Sequence, residues 1–191
     1  MIRFTPLAMI ACVPHLNTEH PVEPVGEWTA PENSWATSPP PAGLEGEGFD
    51  VGDIVVDVRL PDQFDDEVSV WQFFGHLVVL DVSTMWCAPC RELAETTQHT
   101  VDTYGDALQY VTVLQEDPDG DPPTTEDLGS WANVYGLSTP VLGDGTYEGT
   151  GAAIDNGQYP ALLLIDTELH VVERINPPTD AQLVAAIEEH L

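Results

Sequence analysis

The chain has 191 residues, of which 42% are hydrophobic, which is enough to bury the core of one ordinary domain with additional segments. It carries 33 Asp plus Glu against 4 basic residues, all of them Arg, and its formal net charge is -29. This charge excludes nucleic-acid binding and docking on an anionic membrane, and leaves two interpretations of the acidic surface: strong hydration suited to high salt, or a docking surface for basic protein partners.

The first twelve residues have features of a secretion signal. A basic start at Arg3 is followed by a short apolar stretch, and Cys12 follows the small residue Ala11. The stretch is far shorter than the ~20 apolar residues that a membrane-spanning helix needs. The run 7–12, Leu-Ala-Met-Ile-Ala-Cys, resembles a bacterial lipobox, which implies removal of the signal before Cys12 and lipidation of that cysteine. The alternative is a cleaved or frayed N-terminus with an incidental thiol.

Residues 13–50 are predicted to form a Pro- and Glu-rich tether. Seven of the 17 prolines lie here: Pro14, Pro21, Pro24, Pro31, Pro39, Pro40 and Pro41. Such a segment cannot bury enough apolar surface to offset its ordering entropy, and Pro-rich chains act as extended spacers. Trp28 and Trp35 are the exceptions and are candidates for docking on the domain.

Strands and helices alternate from residue 51 onward, which predicts one α/β domain over residues 51–191. The predicted strands are residues 54–58, 77–82, 108–114, 161–166 and 170–175. The predicted helices are one after the cysteine pair that ends at Gly105, one at 128–135 that ends at Gly136, and one capped by Asp180, and residues 70–74 are predicted to be a short helical or irregular segment. The run 77–82 is almost continuously apolar, as in a central strand that is covered on both faces.

A cysteine pair lies where this central strand gives way to the next helix. Cys87 and Cys90 are separated by two residues. The attacking species in disulfide exchange is a thiolate, and the free N–H groups and partial positive charge of a helix N-terminus lower the pKa of the first thiol. The spacing lets the second thiol close a small disulfide and release a bound substrate. The pattern therefore predicts a redox pair in which Cys87 attacks and Cys90 resolves.

Other interpretations of the pair are weaker. A zinc site needs further ligands at suitable spacing, and the sequence has no second Cys-x-x-Cys and no suitably spaced His pair after it. The acidic loop 116–127 departs from the calcium-loop pattern, which needs a properly placed bidentate Glu and no prolines. We therefore expect no metal site. A purely structural disulfide or two inert thiols remain as alternatives, although the position at a strand-to-helix junction favours redox chemistry.

The stretch 86–90, Trp-Cys-Ala-Pro-Cys, resembles the Trp-Cys-x-x-Cys active site of thioredoxin-like proteins. The likeness covers most of residues 50–191, and the tether and inserts are similar to the TlpA/ResA/DsbE-like group of exported, membrane-anchored oxidoreductases. The resemblance implies a thioredoxin fold: a central mixed β-sheet flanked by helices, with an N-terminal extension. Ser83 replaces the group's usual aromatic residue, and His76 replaces its usual basic residue before the strand.

A second element of the resemblance lies at Tyr159-Pro160. Thioredoxin-like proteins have a cis-proline at this place, facing the cysteine pair, and a cis X–Pro bond costs little compared with other cis peptides. The backbone before it can pair with an incoming substrate strand. The resemblance therefore implies that Trp86, Tyr159 and Pro160 bind substrate. An ordinary trans-proline at the start of a strand is the alternative.

Asp81 interrupts the end of the apolar run, six residues before Cys87. Thioredoxins have a buried Asp at this offset, so the resemblance places Asp81 behind the pair and nearer Cys90. Lost hydration should raise its pKa, and a group that titrates near neutral pH can take a proton from a thiol and return it. We expect Asp81 to be the general base for Cys90. The alternative is a strand-end Asp that caps a turn or faces solvent.

The sequence thus predicts an enzyme, a thiol–disulfide oxidoreductase without a cofactor. Its expected partners are protein substrates with thiols or disulfides and a membrane or soluble redox partner, with no nucleic acid and with membrane contact only through a lipid on Cys12. The resemblance implies an exported protein of the bacterial cell envelope, periplasm-facing or surface-exposed, that reduces disulfides in exported proteins, including apocytochromes. The sequence does not establish the direction of exchange.

Three rival functions remain. A peroxiredoxin-like peroxidase carries a Pro-x-x-x-Thr-x-x-Cys site, which is absent here. A copper chaperone of the thioredoxin fold needs Cys-x-x-x-Cys plus a His ligand, and the spacing of Cys87 and Cys90 is one residue short. A non-catalytic interaction domain on a tether is the third.

Overall fold

The computed structural model describes residues 27–176 and 178–191. The predicted signal and lipobox, with Cys12, and the tether up to residue 26 lie outside the described residues. Among the helices that are described, none is long and apolar enough to cross a membrane.

Seven strands and three α-helices form the described part of the chain. The strands are β1 (Arg59–Pro61), β2 (Glu67–Ser69), β3 (Leu77–Ser83), β4 (Leu108–Leu114), β5 (Val141–Gly143), β6 (Ala161–Ile165) and β7 (Val171–Ile175). The helices are α1 (Ala88–Tyr104), α2 (Thr125–Tyr135) and α3 (Asp180–His190), and short 3-10 helices span Val70–Gln72, Gly105–Ala107 and Gly151–Ala153.

Five of the strands form one mixed sheet with the order β5-β4-β3-β6-β7. Strands β3, β4 and β5 are parallel, whereas β6 is antiparallel to both β3 and β7. Strands β1 and β2 form a separate antiparallel pair. With its flanking helices, this sheet confirms the predicted α/β class with a central mixed sheet.

The two faces of the sheet bury different side chains, because successive residues of a strand point to opposite faces. Val78 of β3 lies in a core that is covered by the chain between residues 49 and 73. Val79 lies in the opposite core, which the helices cover with four buried side chains: Leu93 of α1, and Leu183, Ala186 and Ile187 of α3. Asp81 is two residues after Val79, so it points toward the helices.

Helix α1 ends at Gly105 as predicted, but it begins at Ala88, between the two cysteines, rather than after the pair. Cys87 is the N-cap residue with an extended backbone, and a proline lies in the first two helical positions, where its missing N–H costs no hydrogen bond. Gly105 ends the helix at a positive φ of 55°, a conformation that is easiest for glycine. These local signals place the N-terminus of α1 directly after Cys87.

The described residues before residue 51 pack against the rest of the domain, and Phe49 is buried in its core. Trp28 and Trp35 pack against the core on the face away from the helices. The indole N–H of Trp35 donates to the buried carboxylate of Asp62 at 2.6 Å, and that of Trp28 donates to Ser69 Oγ at 3.2 Å. The expected docking of the two tryptophans is confirmed. The domain boundary at residue 50 stays a prediction.

Three local expectations differ from the structure. Residues 54–58 form isolated bridges at Ile54 and Val55 rather than a strand, because Val55 N–H donates to the Leu169 carbonyl in a loop and no ladder continues from it. The N-cap of α3 is Thr179 and not Asp180, since the Thr179 hydroxyl accepts from the backbone N–H of Gln182. Helix α2 begins at Thr125, three residues before the predicted start at residue 128, and the Thr124 hydroxyl caps it by accepting from the backbone N–H of Asp127.

Candidate active site

The cysteine pair lies at the junction of β3 and α1. Cys87 and Cys90 form a disulfide with their Cα atoms 5.3 Å apart. Cys87 Sγ accepts a hydrogen bond from the backbone N–H of Cys90 at 3.2 Å. This is an otherwise unpaired N–H of the first helical turn, so a negative charge on this sulfur would be stabilised by the hydrogen bond and by the helix dipole.

The two sulfurs have different surroundings. Cys87 is 4% exposed and Cys90 is fully buried. Both lie in a small core between α1, α2 and the ends of β4 and β5, with these buried neighbours: Ala94, Leu114, Leu128, Trp131, Ala132 and Val141. Of the two residues only Cys87 keeps any exposure, so it is the cysteine that an incoming disulfide would meet first.

Arg91 holds the loop that leads into the pair. Its guanidinium donates to the carbonyl oxygens of Met85 at 3.0 Å and Trp86 at 2.7 Å. Because both carbonyls immediately precede Cys87, these bonds fix the backbone that positions the first thiol. They also place a positive charge on the active-site side of α1.

Trp86 and Tyr159 meet beside the disulfide. Their rings are 5.9 Å apart and nearly perpendicular, the favoured edge-to-face arrangement. Tyr159 also packs against the core that contains the two cysteines. The peptide bond between Tyr159 and Pro160 is cis, which confirms the prediction for this bond. The residues that the resemblance assigns to substrate binding are therefore brought together, while their role stays a prediction.

Asp81 is buried in the middle of the sheet, 2% exposed. The Ser83 hydroxyl donates to its Oδ1 at 2.6 Å, and the Tyr110 hydroxyl donates to its Oδ2 at 3.4 Å. Burial raises the pKa of Asp81 from 3.8 to about 7, although both hydrogen bonds lower it. The solvent-facing alternative is wrong, because the side chain lies on the face that α1 covers. A carboxyl that titrates near neutral pH can exchange protons with a thiol.

Glu116, the second residue after β4, is a site residue that sequence analysis did not identify and placed only in an acidic loop. Its carboxylate accepts hydrogen bonds from the indole N–H of Trp86 and from the hydroxyl of Tyr147. The bond to Glu116 raises the pKa of Tyr147 to about 12. Nothing local in the sequence marks these contacts, since they join residues about thirty positions apart.

Gln115 holds the ring of Tyr159 in place. The Tyr159 hydroxyl donates to Gln115 Oε1 at 2.6 Å, and Gln115 Nε2 donates to Thr150 Oγ1 at 2.9 Å. The Thr150 hydroxyl in turn donates to the buried carboxylate of Asp144 at 2.7 Å. This chain of hydrogen bonds fixes Tyr159 at the edge of the disulfide.

A family model described as the AhpC/TSA family matches residues 51–174. No curated protein matches the sequence.

Solved structures share the fold. A Chlorobium tepidum protein provisionally named thiol:disulfide interchange protein DsbE has 22% identity and a TM-score of 0.62, with 74% of this chain and 96% of that chain covered. The thioredoxin domain of a Bacteroides vulgatus thiol-disulfide oxidoreductase has 17% identity and a TM-score of 0.61 over 74% and 98% of the two chains. A secreted Mycobacterium tuberculosis disulfide oxidoreductase, described as homologous to Escherichia coli DsbE, has 15% identity and a TM-score of 0.57 over 69% and 94%. At these identities the likeness concerns the fold.

Proposed function

Since the chain belongs to the AhpC/TSA family, we propose that it is a thiol–disulfide oxidoreductase that exchanges disulfides through Cys87 and Cys90. One observation carries this proposal: the disulfide closes over the first turn of α1, with Cys87 Sγ on a helix N–H and Cys90 buried beneath it. A purely structural disulfide would not require its more exposed sulfur to lie where a thiolate is stabilised.

The exchange follows from this arrangement. In the reduced protein the Cys87 thiolate attacks a substrate disulfide, forms a new S–S bond and releases one substrate thiolate. Cys90 then loses its proton and attacks Cys87 Sγ, which releases the second substrate thiolate and closes the Cys87–Cys90 disulfide. Two electrons pass from the protein to the substrate, and a further dithiol must re-reduce the pair. Oxidation of a substrate dithiol runs through the same steps in reverse.

The test of this function uses an uncharged disulfide, bis(2-hydroxyethyl) disulfide. The dithiothreitol-reduced protein should reduce it, and the double variant Cys87→Ala/Cys90→Ala should not. Hydrogen peroxide serves as the competing substrate. Faster oxidation of the reduced protein by peroxide than by the disulfide would favour the peroxidase. If neither compound reacts, the remaining interpretation is that the protein is a non-catalytic interaction domain.

The potential of the Cys87–Cys90 couple decides the direction. Equilibration with thiol–disulfide buffers measures it, and each 30 mV corresponds to about 1.4 kcal/mol. A value near that of thioredoxin would assign a reductase, and a value near that of a strong oxidant such as DsbA would assign an oxidase.

We further propose that the substrates are exported proteins and that the enzyme works in the bacterial cell envelope with a membrane or soluble redox partner. The lipobox-like run that ends at Cys12 supports this placement. The neighbour from Mycobacterium tuberculosis is itself described as secreted.

Cys12 should carry the lipid anchor. After export in a bacterial host, the mature chain should begin at Cys12 with a diacylglyceryl group, and Cys12→Ala should abolish membrane retention because no acyl chain remains. Intact mass of the detergent-extracted protein measures both the start of the chain and the lipid. A mature chain that starts elsewhere without lipid would refute the anchor and leave the redox chemistry unaffected.

A further inference from the structure

Four side chains from different parts of the chain form an aromatic rim beside the disulfide: Trp86, Glu116, Tyr147 and Tyr159. Trp86 directly precedes Cys87, and Tyr159 packs against the core that holds both cysteines. Trp86 and Tyr147 are 45% and 41% exposed, which places them among the few large apolar side chains at the surface. A substrate bound at Cys87 would therefore contact this rim.

The rim has a negative charge that no cation in the described part of the chain neutralises. Glu116 accepts only from the neutral donors of Trp86 and Tyr147, and it takes part in none of the ion pairs among the described residues. Arg91 donates through Nη1 to the Met85 and Trp86 carbonyls, and it forms no ion pair with Glu116. The carboxylate is half-buried, so its charge is less screened than that of a fully exposed Glu.

The geometry of the rim is fixed before substrate arrives. Gln115 and Glu116 follow β4 directly, so a rigid strand end presents their side chains to the three rings. The backbone of Tyr147 has a positive φ of 61°, which is unusual for a bulky residue. Two loop hydrogen bonds hold it, from Tyr147 N–H to the Asp144 carbonyl and from Gly151 N–H to the Tyr147 carbonyl. A preorganised site loses little entropy when it binds.

Aromatic faces and a carboxylate attract the same kind of group. A cationic side chain is drawn to the faces of Trp and Tyr rings and to an unpaired carboxylate. The protein already shows one such contact, in which the Arg59 guanidinium lies 5.8 Å from the centre of the Trp28 ring. An acidic or phosphorylated segment would be repelled by Glu116 and by the net charge of -29.

We propose that the aromatic rim is a specificity subsite for a basic side chain, Arg or Lys, next to the reacting cysteine of a protein substrate. This inference rests on the proposed function and names its substrate class: disulfides in basic segments. The Glu116 carboxylate pairs with the cation, and the rings of Trp86, Tyr147 and Tyr159 enclose it.

The test uses three synthetic peptides that differ only in the residue before a single cysteine, which is joined by a disulfide to 2-mercaptoethanol. That residue is Arg, Gln or Glu. The KM of the reduced protein should be about fivefold lower for the Arg peptide than for the Gln peptide, and highest for the Glu peptide. Equal KM values for the three peptides would overturn the subsite. Bis(2-hydroxyethyl) disulfide has no charge, so failure of the redox function itself is detected separately.

Two variants separate a local subsite from the overall charge. Glu116→Gln should reduce the Arg-to-Gln ratio of KM values to about twofold or less, whereas Glu189→Gln makes the same charge change on the exposed end of α3 and should keep it. If both variants lose the preference equally, long-range attraction explains it and the subsite is refuted.

A third variant, Tyr147→Leu, retains the Glu116 carboxylate and should reduce the Arg-to-Gln ratio of KM values in part. An unchanged ratio would exclude the Tyr147 ring from the site.

Discussion

Replacing Cys87 by serine should abolish disulfide reduction, whereas replacing Cys90 by serine should trap the enzyme on its substrate. Cys87 Sγ accepts a hydrogen bond from the first turn of α1 and is the more exposed of the two sulfurs, so it is the thiol that forms a stable thiolate and meets the substrate. Without Cys90 the Cys87–substrate bond forms but is not resolved. Turnover of bis(2-hydroxyethyl) disulfide should fall to background in both variants.

Mass spectrometry distinguishes the two failures. Cys90→Ser should accumulate a one-to-one mixed disulfide that dithiothreitol releases, and Cys87→Ser should form little or none. Adducts on Cys87→Ser together with a clean Cys90→Ser protein would reverse the assigned roles. Neither substitution exposes new core surface, because serine is close in size to cysteine, so a matched circular dichroism spectrum is the control for folding.

Asp81→Asn should slow the resolving step by about 10-fold or more, since a general base typically contributes at least that much. Asp81 lies on the sheet face that α1 covers and carries a pKa raised by burial to about 7. A base must be deprotonated to act, so resolution by the unmodified protein should accelerate as pH rises through about 7. In Asp81→Asn the rate of resolution should not rise through this pH range. Stopped-flow mixing of the reduced protein with excess bis(2-hydroxyethyl) disulfide, so that the first attack is fast, measures the release of the second thiol between pH 6 and 9.

The same substitution should stabilise the fold at high pH. Well below pH 3.8, the pKa of this side chain in the unfolded chain, the Asp81 carboxyl is protonated in both the folded and the unfolded chain, and it contributes no pH dependence. As pH rises toward 7 the unfolded chain releases this proton and the folded chain retains it, so the free energy of unfolding falls. A pKa raised from 3.8 to about 7 makes this loss on the order of 4 kcal/mol. Urea unfolding should show Asp81→Asn close to the unmodified protein at pH 4 and more stable at pH 8.

Ser83→Ala is the matched control. It keeps the Asp81 carboxylate but removes the 2.6 Å hydrogen bond that the Ser83 hydroxyl donates to Oδ1. Because this bond lowers the pKa of Asp81, its loss should raise that pKa. Resolution should therefore accelerate at a higher pH in Ser83→Ala than in the unmodified protein. In Asp81→Asn the acceleration should be absent. Unchanged resolution across pH 6 to 9 in Asp81→Asn, with no gain in stability at pH 8, would show that Asp81 has no catalytic part.

The elements around the cysteine pair could be predicted because their signals are local. The apolar run before Ser83 must be covered on both faces, which fixed the central strand, and the residues after Cys87 recur at helical spacing up to Gly105. The prediction of a strand at residues 54–58 was wrong. Val55 and Val58 are buried, but Ile54 and Val55 meet a loop at residues 169–170 and not a long partner strand.

The sequence by itself determined the α/β class and the position of the cysteine pair at a helix start, because the strand, the pair and the helix each show in residues within a few positions of one another. The buried Asp81 and the proline beside the site were expected only from the resemblance to thioredoxin-like proteins. Tertiary structure alone decided which side chains surround them. Tyr110 reaches Asp81 from the neighbouring strand, and Glu116 meets Trp86 and Tyr147 across about thirty residues of chain in each direction. These contacts follow from strand order and register, which bring distant segments to one sheet edge and leave no periodic trace in the sequence.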